Sequence, residues 1–156
     1  EMFDKSVLAA AACLAGFGIV FYFQNNQKKA SDSDKQLVSA TYKVEAKHVA
    51  FLKDVQAKYA IKDISKAVRV AIQFVMDEKT EEKKIFTETL CNTCGGKKSK
   101  QDISFDIYPK QKAFLQSIPR SYTVKDEDKA MRCLLEYAET KGDRDAIFKT
   151  VRCRSC

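Results

Sequence analysis

The sequence predicts a mainly α, α+β protein: one N-terminal transmembrane helix, then two tandem strand-helix-helix(-helix) repeats forming a pseudo-twofold domain. Three observations predict it. Residues 7–23, VLAAAACLAGFGIVFYF, are an unbroken apolar run. The segment from Tyr42 matches the segment from Phe105 at an offset of 63 residues. Each copy passes from period-two alternation to helical spacing and ends on Cys-x-x-Cys. The expected organisation is an anchor over 1–24, a linker over 25–37, repeat 1 over 38–94, a basic hinge over 95–101 and repeat 2 over 102–156.

The apolar run, with Ser6 and Gln24, approaches the ~20 residues that cross ~30 Å of hydrocarbon. It has no polar stripe such as a buried helix of a water-exposed domain normally keeps. Its acidic leading residues and the lack of an A-x-A site set it apart from a secretory signal, so it is expected to persist as an anchor. Lys28 and Lys29 follow it, which by the positive-inside tendency places the C-terminal domain on the cytoplasmic, matrix or stromal side. Ala12 and Gly16 offer a small-xxx-small face to a neighbouring helix, or simply reflect alanine richness. The polar stretch KKASDSDK reads as a solvated linker.

The repeat is carried by matches in order. Ala50-Phe51-Leu52 returns as Ala113-Phe114-Leu115, Tyr59 as Tyr122, Lys62-Asp63 as Lys125-Asp126, and Arg69 as Arg132. Ile85-Phe86 returns as Ile147-Phe148 after a one-residue deletion. In each copy, alternation marks a strand: Val38, Ala40, Tyr42 and Val44 in the first, Ile103, Phe105 and Ile107 in the second. A helix follows on Val49, Leu52, Val55 and Tyr59, or on Leu115, Ile118 and Tyr122, where Pro119 is expected to shorten or kink it. Asp63 and Asp126 read as N-caps of a second helix, and a third, more charged helix is expected through Ile85-Phe86 and Ile147-Phe148. One such unit is too small to bury its own apolar face, so the two strands should pair as an antiparallel ribbon.

With strand, helix and helix in each copy, residues 38–77 and 103–140 resemble the ribbon-helix-helix family of DNA-binding dimers, here fused in tandem, with a CxxC closing each repeat. The resemblance implies that Ser39, Thr41, Lys43, Asp102, Ser104 and Asp106 face a DNA groove and that the second helix starts meet phosphate. Asp102, Asp106 and the capping Asp63 and Asp126 oppose that use, because affinity for DNA is largely electrostatic. The formal charge of +7 is spread over a mixed surface, and only Lys97, Lys98 and Lys100 cluster, as a contact for an acidic partner or lipid headgroups or as a solvated hinge. Nucleic acid is therefore not the expected partner.

Cys13 and Cys133 read as apolar fillers, whereas Cys91, Cys94, Cys153 and Cys156 supply four soft ligands that suit one tetrahedral zinc ion. Disulfides, redox-active thiols, free thiols and an iron–sulfur cluster remain alternatives. No catalytic constellation is recognisable; His48 is the single histidine and its repeat counterpart is Gln111. The expectation is a non-enzymatic accessory subunit of a large organellar membrane complex, photosystem-type and thylakoid rather than mitochondrial. Its partners would be other subunits and membrane lipid. A membrane-tethered nucleic-acid binder and a CxxC redox or metal-binding protein are the competing readings.

Overall fold

A computed structural model describes residues 36–89 and 100–150. They form β1 (Val38–Glu45), α1 (Ala46–Lys58), α2 (Ile64–Asp77), α3 (Lys79–Glu88), β2 (Lys100–Ile107), α4 (Pro109–Ser121), α5 (Glu127–Thr140) and a π-helical turn, Ala146–Thr150. These elements belong to one compact unit, Leu37–Cys156.

The fold class expected from the sequence is corrected here. The protein is mainly helical with a two-stranded sheet, and no described helix is long and apolar enough to cross a membrane. The longest described helices, α2 and α5, have 14 residues each, about 21 Å at 1.5 Å per residue, against ~30 Å of hydrocarbon. The transmembrane helix expected over residues 7–23 lies outside the described residues. The expected single-pass membrane localisation, with the domain on a stromal or matrix side, is corrected with it, because no described helix is long and apolar enough to cross a bilayer.

β1 and β2 pair antiparallel from Val38↔Ile107 to Glu45↔Lys100. Alternation divides the ribbon: Ala40, Tyr42, Val44, Phe105 and Ile107 are buried, while Ser39, Thr41, Lys43, Asp102, Ser104 and Asp106 are exposed. A two-stranded ribbon is marginal by itself, and the helices complete it. α5 packs on β1 and α2 on β2, so each second helix covers the strand of the other half. Two buried arginines tie these contacts. Arg132 Nη1 donates to the Lys43 carbonyl and Arg69 Nη1 to the Asp106 carbonyl, each at 2.7 Å.

The N-caps fall at Asp63 and Asp126, whose carboxylates accept from Lys66 N at 2.6 Å and Lys129 N at 2.7 Å. Pro119 lies inside α4 without shortening it. The helix runs on to Ser121, and Tyr122 N still donates to the Ile118 carbonyl. Among the described residues, the third α-helix is present in the first half only. In the second, Ile147 and Phe148 sit in the five-residue π-helical turn, yet both are buried as Ile85 and Phe86 are. Phe148 packs on Phe51 and Tyr59, and Phe86 on Phe114 and Tyr122, with ring centroids 5.5–6.4 Å apart. Each third segment thus docks on the first helix of the other half.

Candidate functional site

The exposed ribbon face is the first candidate. Eight residues per strand at ~3.4 Å each give a strip of about 27 Å. Along it, Lys43 stands opposite Asp102, Ser39 opposite Asp106, and the hydroxyls of Thr41 and Ser104 share a 2.8 Å hydrogen bond. Each outer strand edge is engaged toward its C-terminal end. Lys43 N donates to Asp128 Oδ1 at 3.1 Å and Asp106 N to Ser65 Oγ at 3.2 Å, beside the carbonyls held by Arg132 and Arg69. At these positions the edge groups are taken, and strand addition needs free ones.

At the start of α5 a cavity of about 350 Å³ is lined by Lys43, Lys100, Lys125, Lys129 and Arg132, with Asp126 and Asp128 among them. Five cations and two carboxylates share it, and the Asp126 carboxylate already occupies the helix start as a cap.

A second cluster lies between α1 and α5. His48 is fully buried, with Nε2 3.2 Å from Glu136 Oε2. Lys47 Nζ hydrogen-bonds the same carboxylate and stands 4.0 Å from Glu139 Oε2. Glu45, the N-cap residue of α1, is also buried. Burial pushes His48 below the ordinary imidazole value, against the opposing pull of Glu136 and Glu45. Burial acts to raise Glu136, but the hydrogen bonds from Lys47 and His48 outweigh it and hold the carboxyl below its usual value. The result is a neutral imidazole beside an ionised carboxylate at neutral pH.

Of the residues singled out in the sequence, Lys100 begins β2, opposite Glu45, and lines the basic cavity. Cys91, Cys94, Cys153 and Cys156 lie outside the described residues, as do Ala12, Gly16, Lys97 and Lys98. Cys133 is buried, as an apolar filler would be. Sequence reasoning placed His48 near a helix start and missed Glu136 and Glu139. The available signal was the Glu-x-x-Glu spacing on one helix combined with His48 facing Gln111 in the repeat alignment.

Compared with protein-family models, with curated proteins and with solved structures, the chain matches none.

Proposed function

We propose that the chain is a binding module, an accessory component of a larger protein assembly, which docks through the exposed face of the β1–β2 ribbon. The observation that carries this reading is the charge pairing along that face. Lys43 opposes Asp102 and the central hydroxyls bond to each other, giving a locally neutral polar strip whose side chains are fixed by ribbon register. Such a strip complements a mixed-charge protein surface and offers a polyanion no net attraction. A photo-cross-linking side chain at Thr41 should give a discrete protein adduct in the native cells, while one at exposed Lys53 on the outer side of α1 should not. Equal labelling from both positions, or none, would sink the docking proposal.

A nucleic-acid reading is favoured by the cavity at the start of α5, with Lys43, Lys100, Lys125, Lys129 and Arg132 on its wall. It makes an opposite prediction. Fluorescence anisotropy with a duplex at low salt should then show binding that weakens steeply as salt rises, and Lys43→Ala with Lys129→Ala should abolish it. The docking proposal predicts no duplex binding even at low salt.

A further inference from the structure

We propose that His48, Glu136 and Glu139 form a binding site for a divalent first-row transition-metal ion, with the Lys47 ammonium giving way to the ion. One ligand atom from each of the three residues lies within 4.8 Å of the others. On a tetrahedral ion with ~2.0–2.2 Å bonds, neighbouring donors lie about 3.3–3.6 Å apart. The His48–Glu136 pair already stands at 3.2 Å, so a side-chain adjustment at Glu139 closes the set. One imidazole and two carboxylates, with no thiolate, suit zinc, cobalt or manganese.

Three observations support the assignment. Two carboxylates carry a charge of −2 and meet one ammonium; a divalent ion balances them where Lys47 does not. The Lys47 side chain is 34% exposed and on a four-carbon stem, so it can move into water without uncovering the core. His48 is fully buried and its Nδ1 has no hydrogen-bond partner, while Glu139 Oε2 is likewise buried without one. The ionised Glu136 carboxylate keeps the proton on Nε2; an ion binding there would move the proton to the uncontacted Nδ1 and take Nε2 as a bare donor facing both carboxylates.

Packing alone does not call for these residues. At the matching place in the other half, Gln111 is buried and satisfied: its Nε2 donates to the Arg69 carbonyl at 2.9 Å, and its Oε1 accepts from Tyr108 N at 3.2 Å. The counterparts of Glu136 and Glu139, at the 63-residue offset, are Gln73 and Met76. A neutral set fills one half; a ligating set fills the other.

The test uses the full chain carrying Cys91→Ser, Cys94→Ser, Cys153→Ser and Cys156→Ser, so that thiolates do not take the probe. Titration with Co²⁺ and Zn²⁺ should show one ion per chain, a cobalt spectrum without thiolate charge-transfer absorption, and a raised melting temperature. His48→Gln, which installs the residue that the other half uses, should weaken binding by more than about tenfold, as should Glu139→Gln. Lys47→Met should tighten binding by removing the competing cation. Melting without metal shows whether His48→Gln folds; if it does not, Glu139→Gln decides. Absence of binding in both the parent and Lys47→Met, or binding unweakened by Glu139→Gln, would overturn the proposal.

Discussion

Arg69 and Arg132 each hold a strand carbonyl from a helix that belongs to the other half, and each is 5% exposed. A charged donor to a buried carbonyl contributes about 1.5–3 kcal/mol. Arg132→Met should therefore lower unfolding free energy by about 2 kcal/mol in urea titration, with Arg69→Met losing a similar amount. His48 and Glu136 govern pH dependence in the presence of a chelator. The folded imidazole titrates below 6.5, so the stability present above that pH is lost as pH falls and the unfolded chain takes up the proton first. The Glu136 carboxyl, also depressed, adds its loss as pH falls below about 4.5. Lys47, held above its usual value against burial by Glu136, and the neighbouring Glu139 and Glu45 face the same imidazole. Melting temperature against pH should decline from about pH 6.5 downward, and His48→Gln should move the start of that decline to the carboxylate range. An unchanged profile in His48→Gln would exclude His48 as the titrating group.

The elements differed in how legibly the sequence announced them. The alternation of Ala40, Tyr42 and Val44 against Ser39, Thr41 and Lys43 marks β1, because a ribbon with one covered face has only that pattern available. Asp63 and Asp126 mark their helix starts as good N-cap residues, and the later candidates Ser65 and Asp128 are engaged by strand N–H groups instead. The shortening expected at Pro119 does not occur, since a proline late in a helix removes one hydrogen bond without blocking the last turn. Ile147-Phe148 suggested a helix, but only the burial of that pair is needed, and a π-helical turn delivers it. The His48–Glu136–Glu139 cluster left only a faint signal, the Glu-x-x-Glu spacing and the His48–Gln111 mismatch, because its members come from two elements far apart in sequence and α1–α5 packing joins them. Phe148 caps the Phe51–Tyr59 pair and is fully buried, so Phe148→Ala should cost about 3–5 kcal/mol in denaturant unfolding. Exposed Lys53→Ala should change it by less than about 0.5 kcal/mol.

At the scale of the whole molecule, the halves interlock. Second helices cover opposite strands, and the third-segment phenylalanines cover opposite first helices. Residues 36–94 and 95–156 expressed separately should each lack a cooperative melting transition, and mixing them should restore one, read by far-ultraviolet circular dichroism. Cooperative melting of either piece alone would show that a half carries its own core. The repeat in the sequence foretells such pairing, but the length of an apolar run says nothing of the domain beside it; the described fold is organised by the exchanged helices instead. That exchange bears on the polar cluster. A symmetric dimer of the first copy would set His48 against Gln73 and Met76, and a dimer of the second would set Gln111 against Glu136 and Glu139. Neither ancestor-like pairing assembles the trio. It needs one copy of each kind, and the covalent join supplies both at one-to-one in every molecule, a grouping that association of identical units cannot make.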